Sequence, residues 1–460
     1  MNDIKLQIVI PTKNEEEVIA EFLDSLKDYR CIVVDDSNDD TKKIAREKGA
    51  TVLDGKGNES PSIKYALEQC EEYAVVLDCD GSHPISLIPE MIKALMNGAD
   101  LVIGSRYTEG GSRGASRLVS EFGNIFSRFI LGLKTRDLTG RFIVGHKNTL
   151  LDYCKWEGRG EDSIELTYAI EKRGLKIVEI PFTYEKRKGG KSKTNLVKYI
   201  VKYFRKTLEI KLDSFRLYDK SYIARAIRKN YVSQEYKDSL LGNIIYNLQI
   251  PPYLLLRFLL YVPLIHALIR DICVNYDRGI IGFYLRCVYW KSRLGFVGKN
   301  CFFDEGVSIF PNAKTVCIDD DCFLEKGCCI VSSDTEFRIG KNCHIGADSY
   351  INGKPFFRMG RYSCIDTGSK IFGSTNLPND SDGNVMSFSC TSPERLQRLR
   401  YRGTKIGRNS FIGPNSVAVC SWIGDDVIIG SSSFVNSDIE SGNVFAGSPA
   451  KFIRKSKLSR

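Results

Sequence analysis

The chain has 460 residues, of which 43% are apolar and 27% are charged, and its formal net charge is +10. This composition is ordinary for a globular protein and excludes a fibrous or disordered chain, and the length predicts two or three domains. Residues 186–230 hold fifteen Lys and Arg against three acidic residues, so the positive charge is concentrated there. A focused basic segment suggests an anionic partner, such as phospholipid, pyrophosphate or nucleic acid.

Most of the fifteen cysteines are scattered singly, which is typical of reduced thiols in an intracellular protein. A strand-like run begins at Lys5, so we expect no signal peptide. The segment nearest to a membrane span is Pro252 to Ile269, which contains Arg257 and His266. We expect it to be interfacial or re-entrant rather than spanning.

Residues 1–194 alternate short apolar runs with helix-like polar stretches. This alternation predicts an open, mostly parallel α/β sheet, which binds ligands at the carboxyl ends of its strands. The predicted strands are Gln7–Ile10, Cys31–Val34, Ala74–Leu77, Leu101–Ile103 and Lys176–Ile180.

Polar motifs directly follow the first four of these strands, so we expect them to meet at one edge of the sheet. Asp78 and Asp80 have hard carboxylate oxygens that suit Mg²⁺ or Mn²⁺ bridging a diphosphate, and Asp36 suits a hydrogen bond to a base or ribose. The alternative is that each Asp only forms a turn or caps a helix. The four motifs are residues 11–15 (PTKNE), 35–37 (DDS), 78–80 (DCD) and 104–106 (GSR).

Six segments, in this order, resemble motifs of the dolichyl/polyprenyl-phosphate mannose synthases. That group belongs to the inverting family-two glycosyltransferases with the GT-A nucleotide-sugar fold, and the resemblance covers roughly residues 4–210. The segments are residues 8–16 (IVIPTKNEE), 33–37 (VVDDS), 77–84 (LDCDGSHP), 103–111 (IGSRYTEGG), 136–142 (RDLTGRF) and 179–193 (EIPFTYEKRKGGKSK).

The resemblance implies a role for each motif and no catalytic base, since the acceptor phosphate is itself the nucleophile. The residues expected to bind the donor are Pro11, Thr12, Glu15, Asp36, Asp78 and Cys79. The residues expected to hold the metal are Asp78, Asp80 and Ser82. The residues expected to act on the donor pyrophosphate and acceptor phosphate are Asp80, Arg106, Arg117, Arg187 and Lys193.

Two positions depart from the family pattern. Thr12 stands where the family usually has Tyr, which leaves the donor open between GDP-mannose and UDP-glucose. Ser82 stands where a metal-ligating Gln is often found. We expect mannose transfer from GDP-mannose to a polyprenyl or dolichyl phosphate.

Residues 195–295 interleave aromatic and aliphatic residues with Lys at helical spacing, which predicts a basic amphipathic, interfacial linker. The alternative is a solvated helix face that packs on the domain. We expect an enzyme bound peripherally at the cytoplasmic face of a membrane with an anionic surface. No nucleic-acid module is recognised, so we expect no nucleic-acid partner.

Residues 296–460 carry an aliphatic or aromatic residue at every sixth position, beginning with Val297, Phe303 and Ile309. This period predicts a parallel β-helix in which three markers make one coil. An insertion from Phe372 to Lys405 leaves the coil. The six-residue period is also interrupted between Ile412 and Ile423, which are 11 positions apart rather than 12.

The repeat and the ending 445–455 (FAGSPAKFIRK) resemble the left-handed β-helix acyltransferases. The resemblance implies a homotrimer with acetyl-CoA as co-substrate. Asn376 stands where that family has a catalytic His, and His344 is the one His of this segment, so both are candidates. Two interpretations stay open: an O-acyltransferase-like domain, or a trimerisation scaffold beside a glycosyltransferase that acts on a soluble or polymer acceptor.

Overall fold

The chain folds into two compact units, Met1–Asp213 and Ser214–Arg460. The computed structural model describes residues 5–112, 117–158, 161–183, 196–219, 246–262, 270–272, 280–332, 335–379, 381, 383, 385–387 and 392–456. The predicted three-part division at residues 194 and 295 stays a prediction. In the two-unit division, the basic helix after residue 195 belongs to the first unit.

The first unit is built on a seven-stranded sheet in the order β3-β2-β1-β4-β6-β5-β7. β6 runs antiparallel to its neighbours β4 and β5, and the other pairings are parallel. The strands are β1 (Leu6–Thr12), β2 (Arg30–Asp35), β3 (Thr51–Asp54), β4 (Tyr73–Val76), β5 (Leu101–Ser105), β6 (Ile143–His146) and β7 (Ile177–Pro181).

Both faces of this sheet are covered, which explains why its strands are continuous apolar runs. Ile8 and Ile10 of β1 lie in one buried cluster and Val9 lies in the other, because successive side chains of a strand point to opposite faces. The helices of this unit are α1 (Ile19–Ser25), α2 (Thr41–Glu47), α3 (Glu59–Gln69), α4 (Ile88–Met96), α5 (Arg117–Leu131), α6 (Lys147–Asp152), α7 (Asp162–Lys172) and α8 (Leu196–Asp213).

Helix α8, the basic amphipathic segment, packs on the first unit along one side. Tyr203 is buried and its hydroxyl donates to the carbonyl of Leu138 at 2.8 Å. The hydroxyls of Ser127 and Thr207 lie 2.7 Å apart in the buried contact between α5 and α8. This helix therefore contributes to the core of the unit on one side and leaves its other side exposed.

The second unit is a three-sided parallel β-helix, as the hexapeptide repeat predicts for the left-handed class. Its three sheets are six, six and eight strands long, and equivalent strands of successive coils stack in register. The strands of its first four coils are β8 (Phe296–Val297), β9 (Phe302–Phe303), β10 (Ser308–Phe310), β11 (Val316–Ile318), β12 (Phe323–Leu324), β13 (Cys329–Val331), β14 (Glu336–Ile339), β15 (His344–Ile345), β16 (Tyr350–Asn352), β17 (Phe356–Met359), β18 (Cys364–Ile365) and β19 (Lys370–Phe372).

The insertion leaves the coil after β19 and returns at β22, and within it β20 and β21 pair antiparallel. Ala418, which is buried, is the marker that the apolar pattern did not reveal between Ile412 and Ile423. The remaining strands are β20 (Ser374–Asn376), β21 (Leu399–Tyr401), β22 (Thr404–Ile406), β23 (Phe411–Ile412), β24 (Val417–Val419), β25 (Trp422–Ile423), β26 (Ile428–Ile429), β27 (Phe434–Val435), β28 (Asn443–Ala446) and β29 (Lys451–Lys455).

Two described helices precede the coils, α9 (Ile250–Leu259) and α10 (Ile280–Arg293). Cys287, Val288 and Trp290 of α10 belong to the same buried cluster as the first coil markers, so this helix covers the open end of the β-helix core. In the described part of the chain, no helix has the length and apolar character needed to cross a membrane.

Candidate active site

The four polar motifs lie at one edge of the first sheet. β1, β2 and β4 are parallel, and β5 runs in the same direction because both β4 and β5 are antiparallel to β6. Their carboxyl ends therefore meet, as the sequence predicts. The reversed strand β6 adds the loop before it, residues 136–142, to the same edge.

Asp35 and Asp36 form the part of the edge that follows β2. Asp35 is fully buried and accepts from the hydroxyl of Thr12 at 2.5 Å, which joins the ends of β1 and β2. Asp36 accepts from the amide of Gly57 at 2.9 Å and from the hydroxyl of Ser62 at 3.0 Å. Asp36 thus orders the loop that leads into α3.

Pro11 and Glu15 lie beside this part of the edge, at the end of β1 and in the loop after it. Both are partly buried, and the amide of Glu15 donates to the hydroxyl of Thr41 at 3.0 Å. The residues expected to bind the nucleoside, Pro11, Thr12, Glu15 and Asp36, are thus gathered at the ends of β1 and β2.

The acidic motif after β4 exposes one carboxylate and buries the other. The side chain of Asp78 is 30% exposed, whereas Asp80 is buried and accepts from the amide of Ser82 at 3.0 Å. Cys79 between them belongs to the apolar core, and burial raises the pKa of its thiol. Cys79 can therefore reach a donor only through its backbone.

Arg141, which the sequence reasoning did not single out, lies beside the acidic motif. Its guanidinium forms an ion pair with Glu59 at the start of α3 and lies 3.9 Å from a carboxylate oxygen of Asp78. The signal was present in residues 136–142 (RDLTGRF), where an Arg interrupts the resemblance to the family motif Asp-Pro-x-Ser-Gly-Phe. A cation at this position can neutralise a donor diphosphate.

Arg106 is bound to Asp137, a second residue that the sequence reasoning did not single out. The guanidinium donates from Nε and Nη2 to the two carboxylate oxygens of Asp137, both at 2.9 Å. Burial raises the pKa of Asp137, but the neighbouring guanidinium and the hydrogen bonds outweigh burial and hold that pKa below its ordinary value. Arg106 is thereby held rigidly at the end of β5.

Glu179 of β7 completes this network. Its carboxylate accepts from the hydroxyl of Ser105 at 2.8 Å and from the amides of Arg136 and Asp137 at 2.9 Å. The loop before β6 is thus attached to β5 and β7 by charge-assisted hydrogen bonds, which are stronger than neutral ones.

For three of the predicted basic residues, the structure does not describe the side chain. Arg187 and Lys193 lie outside the described residues, and Arg117 begins α5 with its side chain also outside them. Their assignment to the donor and acceptor phosphates stays a prediction.

The carboxylates at the carboxyl edge of the first sheet are of the type that binds a divalent cation together with the phosphates of a substrate. Among the described residues, no group of three or more His, Cys, Asp or Glu side chains could hold a metal. Mg²⁺ commonly uses one or two carboxylates and completes its shell with substrate phosphates and water. Asp78 and Asp80 supply carboxylates of this kind. Asp80 and Ser82 are both buried, and the assignment of Ser82 to the metal stays a prediction.

The candidates of the β-helix lie on different parts of that unit. Asn376 ends β20 in the inserted hairpin, opposite Leu399 of β21. His344 lies on β15, where its Nε2 is 3.2 Å from a carboxylate oxygen of Glu325.

The mixed α/β sheet with an acidic edge defines a GT-A-type domain. Residues 7–152 match the model of the family described as glycosyl transferase family 2. The chain belongs to that family.

Two curated relatives resemble the first part of the chain. The undecaprenyl-phosphate mannosyltransferase of Micrococcus luteus is 29% identical over 214 residues, which cover 41% of this chain and 87% of that protein. The dolichyl-phosphate hexose transferase of Haloferax volcanii is 31% identical over 198 residues, which cover 40% of this chain and 84% of that protein.

A solved structure, the D94A variant of the N-acyltransferase AntD from Bacillus cereus with dTDP and coenzyme A, is 21% identical. The match covers 37% of this chain and 88% of that one, with a TM-score of 0.33.

Proposed function

We propose that the first unit transfers a hexose, mannose from GDP-mannose, to a polyprenyl or dolichyl phosphate. The observation that carries the proposal is the convergence of Asp36, Asp78, Asp80 and Arg141 at the carboxyl edge of a family-two sheet. The two curated relatives, whose names specify lipid-phosphate acceptors, support the choice of acceptor. UDP-glucose is the other donor to test, because Thr12 replaces the usual Tyr.

The donor binds across the edge, in this proposal. Pro11, Thr12, Glu15 and Asp36 contact the nucleoside at the ends of β1 and β2. Asp78 and Asp80 hold Mg²⁺ or Mn²⁺, with Ser82 ordering Asp80 through its amide. The cation, when bound, neutralises charge on the diphosphate.

The chain supplies positive charge and orientation to the reaction rather than a base. The acceptor phosphate is an anion and attacks without losing a proton, so stabilising the departing diphosphate is the main task. Arg141 lies beside the acidic motif and interacts with that diphosphate, and Arg117, Arg187 and Lys193 are assigned to the donor pyrophosphate and the acceptor phosphate. Arg106, whose guanidinium is bound to Asp137, holds the loop before β6 in place.

We propose that the first unit docks on an anionic membrane surface through an exposed apolar face of α5 and α8. Phe129 is 83% exposed, and Phe122 contacts Phe204 of α8 with ring centroids 5.9 Å apart. Lys202 of α8 is also exposed, whereas Lys206 forms an ion pair with Glu165. Apolar side chains rimmed by Lys are typical of a helix pair that enters a lipid interface.

Helix α9 of the second unit has the same character. Its exposed apolar side chains include Leu255 and Phe258, whereas Tyr253 is buried and accepts a hydrogen bond from the partly buried Arg257 at 3.2 Å. A helix with exposed apolar side chains of this kind favours a lipid environment. We place the enzyme at the cytoplasmic face, where nucleotide sugars are made available.

For the β-helix we propose an acetyl-CoA-dependent, O-acyltransferase-like role in a homotrimer. The regular three-sided coil supports this proposal. The alternative is a trimerisation scaffold beside a glycosyltransferase for a soluble or polymer acceptor. Light scattering of the full chain tests the trimer, and a monomeric mass at micromolar concentration would contradict it.

Product analysis tests the glycosyltransferase. The full chain is incubated with GDP-mannose or UDP-glucose, Mn²⁺ and a polyprenyl phosphate, and the lipid fraction is analysed by mass spectrometry. We expect a lipid-phosphate hexose from the wild type and a loss of about 10²-fold or more in Asp80→Asn, because the substitution removes a carboxylate that is proposed to hold the cation on the donor diphosphate. Asp24→Asn is the matched control, since Asp24 lies near the end of α1, is 61% exposed and is bound to Lys48.

Either of two results would contradict this proposal: no lipid product from either donor, or full activity in Asp80→Asn. Product that forms on a soluble glycan but not on the lipid phosphate would favour the alternative.

A further inference from the structure

The outer face of the eight-stranded sheet of the β-helix places one histidine and one cysteine on adjacent coils. Equivalent outward positions of successive coils are stacked in register along this sheet. His344 and Cys364 are the two reactive side chains in an otherwise apolar column. From β9 to β26 the column is Phe302, Phe323, His344, Cys364, Phe411 and Ile428, and it continues with Val444 of β28.

The two side chains are in contact, and a carboxylate completes the arrangement. The Sγ of Cys364 lies 3.5 Å from Nδ1 of His344, and Nε2 of the same ring lies 3.2 Å from Oε1 of Glu325. The second oxygen of Glu325 accepts from the amide of Ala347 at 2.9 Å. Thiol, imidazole and carboxylate therefore follow one another, as nucleophile, base and orienting group do in thiol-dependent enzymes.

The ring is held in the orientation that this arrangement needs. Phe323 stacks on His344 with centroids 5.7 Å apart and planes 16° apart. The proposed chemistry uses the tautomer with the proton on Nε2, in which the lone pair of Nδ1 faces the thiol. Both side chains are partly exposed, so a ligand can reach them from outside the coil.

Other thiols of the β-helix provide a comparison. Cys317 and Cys329 are also half-buried and point outward from the other two sheets. In the part of the chain that the structure describes, neither has a hydrogen bond to a histidine. The contact between thiol and imidazole is thus a feature of one position and not of the repeat.

We propose that Cys364, His344 and Glu325 form a thiol-based catalytic site for acyl transfer from an acyl thioester. This inference rests on the acyltransferase-like role proposed above for the β-helix and assigns its chemistry to residues other than Asn376. Cys364 is the nucleophile, His344 is the general base, and Glu325 is a positioning residue.

The reaction has two balanced steps. In the first, Sγ of Cys364 attacks the thioester carbonyl while its proton passes to Nδ1 of His344. The carbon–sulfur bond of the donor breaks, the leaving thiolate takes the proton from His344, and an acyl-Cys364 thioester remains. In the second, an acceptor hydroxyl or amine attacks that carbonyl, His344 takes the acceptor proton and returns it to Cys364, and the thiol is regenerated.

Burial, together with the neighbouring Asp366, Cys343 and Glu325, raises the pKa of the Cys364 thiol to about 11. The resting thiol is therefore protonated near neutral pH. Its reactivity then depends on the imidazole that accepts its proton, which makes the dependence on His344 large and measurable.

The test compares alkylation rates of individual thiols in the full-length protein. Iodoacetamide labelling at one near-neutral pH is followed by peptide mass spectrometry in the wild type, His344→Gln and Glu325→Gln. We expect His344→Gln to slow the labelling of Cys364 about tenfold or more and to leave Cys329 unchanged. Equal labelling of Cys364 in the wild type and His344→Gln would overturn the inference, provided that both variants melt at the wild-type temperature.

A second measurement looks for the covalent intermediate. After incubation with acetyl-CoA, we expect a hydroxylamine-sensitive acetyl group on Cys364 in the wild type and none in Cys364→Ser, with Cys329→Ser behaving as the wild type. Acetylation that is no greater at Cys364 than at Cys329 would refute the nucleophile. Equilibrium binding of acetyl-CoA to Cys364→Ser reports on the broader acyltransferase-like role separately, because binding without an adduct preserves that role and removes only the thiol site.

Discussion

Replacing Asp137 with Asn should destabilise the first unit strongly while changing its shape little. Asp137 is buried and accepts six hydrogen bonds, from Arg106 N, Nε and Nη2, from Thr139 N and Oγ1, and from Gly140 N. If the amide oxygen of Asn takes the place of Oδ1, its NH₂ group faces the amide and Nε of Arg106, which are both donors. Two hydrogen bonds are lost, and the guanidinium loses its counter-charge.

The expected cost is about 3–5 kcal/mol, the range for removing one partner of a buried ion pair. Asp438→Asn is the matched control, because Asp438 also forms a two-pronged pair, with Arg402, but its side chain is 47% exposed. Exposed pairs contribute about 0–1 kcal/mol. The two substitutions are chemically identical and differ in burial, so their difference isolates the effect of burial.

Urea unfolding of the full chain followed by tryptophan fluorescence measures both variants. Trp156 is the one tryptophan of the first unit, and Trp290 and Trp422 belong to the second. Asp137→Asn is measured in a Trp290→Phe, Trp422→Phe background, which reports on the first unit, and Asp438→Asn in a Trp156→Phe background, which reports on the second. The free energy of unfolding of each variant is compared with that of its own background. If Asp137→Asn lies within about 1 kcal/mol of Asp438→Asn, the burial argument is wrong.

The pH dependence of the same measurement follows from the sign of the shift. The pKa of Asp137 is lower in the folded chain than the unfolded value of about 3.9. Its stabilising contribution is therefore complete above that unfolded value and is lost as the pH falls through the folded-state pKa. The stability difference between wild type and Asp137→Asn should shrink only below about pH 4.

Three further substitutions test other parts of the structure. Arg141→Met should weaken binding of a nucleoside diphosphate about tenfold in calorimetry while leaving the nucleoside unaffected, because a charge contact to the diphosphate is lost; equal losses for both ligands would contradict this role. Ile351→Ala should cost about 2–5 kcal/mol in thermal unfolding of the second unit, since Ile351 is fully buried in the coil, and a change below 1 kcal/mol would argue against a tightly packed core. Phe129→Ser should reduce co-sedimentation with anionic vesicles, whereas Met96→Ser, an exposed apolar residue elsewhere on the unit, should not; equal retention would refute the docking surface.

Much of the fold could be predicted from the sequence, because buried positions recur at regular spacing and are occupied by apolar residues. The predicted strands Cys31–Val34 and Leu101–Ile103 lie within β2 and β5, because continuous apolar runs are required of strands covered on both faces. The coil markers were equally clear, since each one repeats an inward position of the β-helix. The strands that were missed, β3 and β6, are short and offered no such run, and β3 is only partly buried.

The residues of the candidate site could be predicted from the sequence only where the residue type alone indicates the chemistry. Asp36, Asp78 and Asp80 were found because carboxylates directly after strands are informative. Arg141 and Asp137 were not, since their importance depends on partners that are distant in sequence. Helix α8 shows the same limit, because its basic pattern did not reveal that Tyr203 would be buried against the first unit.

The sequence by itself determined the fold class of each half of this protein. In the first half, the alternation of apolar runs and polar stretches specifies an α/β sheet with an acidic edge. In the second half, the six-residue apolar period specifies a β-helix with three inward residues in each coil. Tertiary structure alone decided which charged groups meet. The reversed strand β6 brings Arg141 to Asp78, and the stacking of coils brings Cys364 to His344. Local patterns fix local conformation, whereas an ion pair or a thiol–imidazole contact needs two distant segments to be placed within a few ångströms, and strand order and coil register do that.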